Sequence, residues 1–197
     1  MEIKIAIIGI GYVGLPLLVK LSNFYKVLGF DIDQSRVIEL QNGYDRTSEI
    51  KDENLLKSQN ISYTSNQFDL KEANVFIVTV PTPVDEANNP DLNLLKNACL
   101  LVGNYLSKNN IVIFESTVYP GSTRDVCIPI LEKISKLKLN KDFGVGYSPE
   151  RINPGDKKHT IENVVKIISG SDIETLNKVD QIYKKIISAG TFKTSSI

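Results

Sequence analysis

Tryptophan is absent from this chain, histidine and methionine occur once each, and only two cysteines stand among 197 residues. Two cysteines give neither a disulfide framework nor metal-ligand spacing, and one histidine cannot complete a zinc set. No metal is expected, and this cysteine usage suits a reducing cytoplasm. No excess of charge exists either: Lys plus Arg and Asp plus Glu both total 23. Nothing therefore draws the chain to nucleic acid or to an anionic membrane. Long apolar runs are missing as well. The one at the amino terminus is short, has no basic flank and leads into a glycine turn, so it reads as a buried strand and not as a signal or a span. There is no internal repeat, low-complexity tract or obvious linker.

A hydrophobic share of 42% is enough to build a sizeable core. Branched apolar residues from Ile3 to Ile8 predict a parallel strand covered on both faces. A helix with Val13, Leu17, Leu18 and Leu21 on one side follows, then a strand from Val27 to Phe30. The alternation continues with a helix over 34–41, a strand over 75–80, a helix over 91–107 and a strand over 111–114. Beyond it come a helix after Gly121, strands over 143–146 and 164–168, and a helix over 172–188. Such alternation predicts an α/β fold: a doubly wound, mainly parallel, Rossmann-like sheet with helices on both faces. The polar stretch 42–60 is the least regular, with a short helix expected over 52–57. The whole of 1–197 reads as one domain.

Gly9-Ile10-Gly11-Tyr12-Val13-Gly14 fits G-x-G-x-x-G between the first strand and the first helix. In that setting Gly9 makes the turn, Gly11 admits a pyrophosphate, Gly14 lets helix and strand approach, and the helix amino terminus faces the phosphates. Asp31 closes the second strand, where an acid accepts hydrogen bonds from the adenosine ribose and repels a 2′-phosphate. The other reading of Asp31 is a helix cap before Gln34. Arg36 has three readings: a welcome for a 2′-phosphate, a stack on adenine, or a partner for the cofactor's phosphates. The charge pattern favours NAD over NADP.

Ligands of open α/β sheets lie beyond the carboxyl ends of the strands, which directs attention to three later segments. Val80-Pro81-Thr82-Pro83 fixes its backbone with two prolines and offers the Thr82 hydroxyl, unless it is only a rigid loop. In Glu115-Ser116-Thr117-Val118-Tyr119-Pro120-Gly121, Ser122 or Thr123 is the natural cap for the next helix, leaving Thr117 to hold a water or the nicotinamide. In Ser148-Pro149-Glu150-Arg151-Ile152-Asn153-Pro154-Gly155, Glu150 suits a general base acting through water and Arg151 an anion site; a surface ion pair is the other reading. Cys99 and Cys127 fall on predicted helices as buried packing, and His159 beside two lysines reads as a solvated loop residue.

These segments, in this order, resemble the UDP-glucose/GDP-mannose dehydrogenase family over nearly the whole chain. The Ser-Pro-Glu-Arg and Asn-Pro-Gly version is similar to the branch acting on UDP-N-acetylhexosamines for capsule, O-antigen or Vi-type surface polysaccharide. The resemblance implies a four-electron oxidation: two NAD molecules carry a sugar's terminal primary alcohol to a carboxylate, through a cysteine-bound thiohemiacetal and thioester. Carried over by motif, Tyr12, Val13, Asp31, Arg36, Thr82 and Thr117 line NAD. Glu150 assists water or proton transfer, and Arg151 with Ile152 touches the UDP-sugar. Family enzymes that oxidise UDP-glucose carry a second acid where this chain has Pro154, which argues against glucose.

The family's catalytic cysteine, lysine and asparagine lie in later segments than this chain contains. The expectation is therefore a fragment of a longer enzyme, lacking the central helix and the carboxyl-terminal UDP-sugar domain, that binds NAD and does not turn over alone. The resemblance implies a homodimer or larger assembly made through that helix, which leaves the fragment free to be a monomer. Two other readings stand beside it: a stand-alone NAD-binding regulatory module, and a different NAD-dependent dehydrogenase for hydroxy acids.

Overall fold

The computed structural model describes residues 2–50, 58–84, 88–150 and 161–197. The short helix expected over 52–57 lies outside the described residues. Strand β1 (Lys4–Ile8) leads through the glycine turn into α1 (Gly14–Leu21), then β2 (Lys26–Phe30), α2 (Gln34–Gln41) and β3 (Ile61–Thr64). A 3₁₀ turn (Gln67–Glu72) precedes β4 (Val75–Val78), α3 (Asn93–Tyr105) and β5 (Ile111–Phe114). A π-helical turn (Thr123–Cys127) runs into α4 (Ile128–Ser135), followed by β6 (Gly144–Tyr147), β7 (Lys166–Gly170), α5 (Ile173–Lys184) and β8 (Thr191–Lys193).

Among the described residues eight strands form one sheet, in the order β3-β2-β1-β4-β5-β6-β7-β8. Pairing is parallel from β3 through β6, with Ile5 opposite both Val27 and Val75, so the chain winds outward in two directions from the β1–β4 junction. That junction is the topological switch point, where a crevice opens beyond the strand ends. All four residues of β4 and of β5 are buried, as strands covered on both faces demand. One face packs Ile5, Ile7, Ile77 and Ile113 against Leu17 and Leu18 of α1 and Val179 and Ile182 of α5. The other packs Phe76, Val78, Val112 and Phe114 against Leu95 and Val102 of α3 and Leu131 of α4.

Strand β7 runs antiparallel to β6, with Gly146 opposite Gly170 and Tyr147 opposite Ser169. Reversal has a positional effect. The first residue of β7, Lys166, comes to lie at the sheet edge where the parallel strands have their carboxyl ends. Strand β8 is parallel to β7, and α5 is tied to β8 through Asp180, which accepts from the Thr191 hydroxyl and Lys193 Nζ (2.8 Å) of that strand and from Lys184 Nζ (2.9 Å) of its own helix. Burial works against the charge on Asp180, yet Lys193, Thr191 and Lys184 outweigh it and lower its pKa to about 2.

Candidate functional site: a cleft at the switch point

The glycine turn is shaped by what its residues lack. Gly9 sits at φ +96°, in the left-handed region where a Cβ is strained, and its N–H donates to the Phe30 carbonyl at 2.8 Å. A Cβ on Gly14 would stand 2.1 Å from the Gly9 carbonyl oxygen and 2.6 Å from Thr79 Oγ1, whereas one on Gly11 would meet nothing within 4 Å. Gly14 is thus bare so that α1 can press on the turn, and Gly11 so that a ligand can. At the start of α1, Val13 supplies no capping side chain and the first turn holds no acid. The leading N–H groups and the positive end of the helix dipole are left for an anion.

Asp31 stands at the end of β2 and braces the turn. Its Oδ2 accepts from Ile10 N at 2.9 Å and its Oδ1 from Asp33 N at 3.0 Å. Each oxygen keeps acceptor capacity for a hydroxyl. The helix-cap reading goes elsewhere: Asp33 accepts from Ser35 N and caps α2. Beside Asp31, Ile32 is 79% and Phe68 65% exposed, two large apolar side chains bounding the same cavity, as a flat apolar base requires.

Arg36 is placed behind this turn. It is buried, donates from Nε to the Ile10 carbonyl (2.9 Å) and from Nη2 to Asp45 (2.8 Å), and does not line the cavity. Its guanidinium therefore supports the backbone of the phosphate turn from below. Asp45, buried too, also accepts from the Thr47 hydroxyl and the N–H groups of Thr47, Glu49 and Ile50, which hold its pKa below the usual range despite burial.

At the other end of the cleft the structure brings together the Val-Pro-Thr-Pro and Glu-Ser-Thr segments. The Thr82 hydroxyl donates to the Thr117 carbonyl, and the Ser116 hydroxyl to the Val80 carbonyl at 2.6 Å. Thr82, Thr117 and Glu150 all line the cavity, together with Gly9, Gly11, Tyr12, Val13 and Asp31. Neither Ser122 nor Thr123 provides the expected side-chain cap; the Ser122 hydroxyl donates back to the Tyr119 carbonyl, and a π-helical turn starts the helix instead. Arg151, Ile152 and His159 lie outside the described residues.

Two features escape a linear reading. Thr79, read as the last part of a strand, turns under the glycine loop and donates its hydroxyl to the Gly9 carbonyl at 2.7 Å. Glu115, next to Thr117, is buried with both carboxylate oxygens engaged: one by Lys166 Nζ at 2.7 Å, the other by the Tyr183 hydroxyl. Lys166 Nζ also lies 5.3 Å from the centre of the Tyr183 ring. The signal for Glu115 is an acid at the end of a wholly apolar strand; its partners could not be named from sequence. Cys99 and Cys127 are buried, and the neighbouring thiol of Cys127 together with burial pushes the Cys99 thiol far up, away from a reactive thiolate. Among the described residues no group of three or more His, Cys, Asp or Glu side chains is placed to hold a metal, and no helix is long and apolar enough to cross a membrane.

The cleft measures about 1050 Å³. It offers an anion cradle in its middle, an acid and apolar walls at one end, and hydroxyls with a carboxylate at the other. These are the parts of a dinucleotide site: a Cβ-free cradle for pyrophosphate, an acid for a ribose, and a polar end for the reactive ring. The class the fold and cleft define is a dinucleotide-binding domain.

Residues 3–187 match the model of the UDP-glucose/GDP-mannose dehydrogenase family, NAD binding domain. The chain belongs to that family, and its cofactor is NAD. It is 53% identical over its whole length to the protein CapL of Staphylococcus aureus and 52% identical to a UDP-N-acetyl-D-glucosamine 6-dehydrogenase of Pseudomonas aeruginosa. It spans 46% of each of these relatives. Among solved structures, a UDP-D-ManNAc dehydrogenase from Pyrococcus horikoshii superposes with a TM-score of 0.89 at 29% identity, over 98% of this chain and 47% of that one.

Proposed function

We propose that this chain is the NAD-binding part of an oxidoreductase that converts the terminal primary alcohol of a UDP-N-acetylhexosamine to a uronate in two NAD-dependent steps, for surface polysaccharide synthesis. The observation that carries the reading is the whole-length identity of 52% to a UDP-N-acetyl-D-glucosamine 6-dehydrogenase, joined to a cleft whose residues fit NAD. When bound, NAD accepts a hydride at its nicotinamide ring. The residues of this chain do the rest that lies within it. Gly11 and the amino terminus of α1 receive the pyrophosphate, Tyr12 and Val13 border it, and Asp31 takes the adenosine ribose. Thr82 and Thr117, tied together, frame the nicotinamide end.

Glu150 lines that end and is the group to hold or pass a proton through water, the role we assign it beside the alcohol or the later hydrolytic step. Arg151 and Ile152, in the following loop, are assigned to the UDP-sugar. We assign Arg36 a supporting part: it holds Ile10 and so shapes the pyrophosphate cradle, and its burial behind the turn against Asp45 favours NAD over NADP because no arginine among the described residues lines the cleft to meet a 2′-phosphate.

Calorimetry of this chain with NAD, NADP and FAD tests the cofactor side; binding of NAD ahead of the other two is expected, and no heat with NAD at millimolar concentration would overturn it. For the sugar, the product of the complete reading frame is given NAD with UDP-N-acetylglucosamine, UDP-glucose or a small 3-hydroxy acid. NADH formation with the first alone is the expected result. Turnover of the hydroxy acid without response to UDP-sugars would replace this reading with another dehydrogenase.

A further inference from the structure

One wall of the cleft has no part in the reading above. Leu94, Asn97, Ala98 and Leu101 of α3 border the cavity, and their i, i+3, i+4, i+7 spacing puts them on one face of that helix. The stripe stands at the Asp31 end. Ala98 belongs to one packed cluster with Phe30, the residue before Asp31, and with Leu70 of the 3₁₀ turn that carries Phe68. Helix α3 therefore joins Ile32 and Phe68 in walling the end assigned to the adenosine.

Asn97 is the odd member of this stripe. The other three are apolar, whereas Asn97 is exposed and its carboxamide makes no hydrogen bond within the described residues. Other asparagines on helices behave differently. Asn104, also on α3, donates to the Leu100 carbonyl at 3.1 Å, and Asn42, at the end of α2, to that of Ile38 at 2.9 Å. Asparagine is a poorer helix former than alanine or leucine, so neither the helix nor its packing calls for an amide here. The remaining polar groups of this end are engaged or unsuited. Asn66 Oδ1 accepts from Phe68 N at 3.2 Å, and the Thr64 hydroxyl donates to Asp69. Ser65 offers a single hydroxyl, and Gln67 heads the 3₁₀ turn on a side chain with one more torsion, while Asn97 is fixed inside a helix of 13 residues.

Resting on the cofactor reading given above, we propose that Asn97 reads the adenine base of NAD and selects it over other purines. Adenine carries an N–H donor on its 6-amino group beside an acceptor at N7. A carboxamide carries the complement, an acceptor oxygen beside an N–H donor, and the two edges meet in a pair of hydrogen bonds. Ile32, Phe68 and the leucines of α3 hold the flat rings of any purine alike, so the choice between bases falls to the amide. A purine with a carbonyl at C6 turns two adjacent acceptors towards Asn97; one hydrogen bond is lost and two oxygens or two N–H groups are left opposed. Asp31 and Asn97 thus divide the adenosine between them, one meeting the ribose and the other the base.

The test compares NAD with nicotinamide hypoxanthine dinucleotide, which has a carbonyl in place of the 6-amino group, by calorimetry on this chain at neutral pH. The wild type should bind NAD about fivefold or more tightly than the analogue, the scale of one bidentate amide–base pair. Asn97→Ala, at an exposed position where alanine suits the helix, should fold and should lower NAD affinity to that of the analogue, while affinity for the analogue itself stays as it was. Asn104→Ala, on the same helix and away from the cleft, should leave both affinities at their wild-type values. Equal binding of the two dinucleotides by the wild type overturns the proposal, as does a preference for NAD that survives in Asn97→Ala. An equal loss of both ligands in that variant marks a damaged cleft and overturns it too. If the preference disappears in Gln67→Ala instead, the base belongs to the other amide and the assignment to Asn97 falls. Absence of NAD binding to the wild-type chain defeats the cofactor reading, a result separate from all of these.

Discussion

Asp31 performs two jobs with one carboxylate. It ties Ile10 to Asp33 through two N–H groups, and in our reading it meets the ribose with the lone pairs that remain. Asp31→Ala should weaken NAD binding by about 1–3 kcal/mol, the range for charge-assisted hydrogen bonds, as read by calorimetry. An unchanged affinity would reduce Asp31 to a brace of the turn. Asp180 gives a prediction in pH. Its folded pKa of about 2 lies below the ordinary carboxylate value of 3.8, so the stabilisation it adds is complete above about pH 4 and is lost as pH falls from there through 2. The stability gap between wild type and Asp180→Asn should accordingly be wide at neutral pH and shrink over that acidic window. A gap of constant size in denaturant titrations would mean that its charge contributes nothing.

The element that concentrates function is the β1–α1 connection. Gly14 brings α1 against Gly9 and Thr79 closely enough that a methyl group has no room. Gly14→Ala should therefore push α1 outward, cost about 1–3 kcal/mol as overpacked sites do, and weaken NAD binding along with stability. Retention of full affinity in that variant would separate the cradle from the helix. This connection was legible in sequence because strand, glycines, helix and acid all follow one another locally. The short edge strands were not. In β3, Ile61–Thr64 keeps only one partner strand and is partly exposed, and β8 is three residues long; neither builds a hydrophobic run that periodicity can detect. Strand β7 was expected over 164–168 and lies at Lys166–Gly170, because Ser169 and Gly170 read as a turn while in the fold they pair with Tyr147 and Gly146. The Glu115–Lys166 pair was out of reach for a related reason: its members are separated by 51 positions and meet only because a strand reverses.

At the scale of the molecule, the sheet is not equally joined along its width. From β1 through β6 each strand meets its neighbour over four or five parallel positions, while β6 and β7 share two. The α5–β7–β8 corner is thus a candidate for opening as a unit ahead of the rest. Hydrogen exchange should find the amides of β7 and β8 less protected than those of β1, β4 and β5. Uniform protection across all eight strands would contradict this.

The reversed strand has one more consequence, and it concerns motion. Since Lys166 opens β7 while Glu115 closes β5, their ion pair crosses the narrow seam and works as a latch between a durable slab and a looser corner. Cutting the latch should raise the breathing rate of that corner while the slab stays shut.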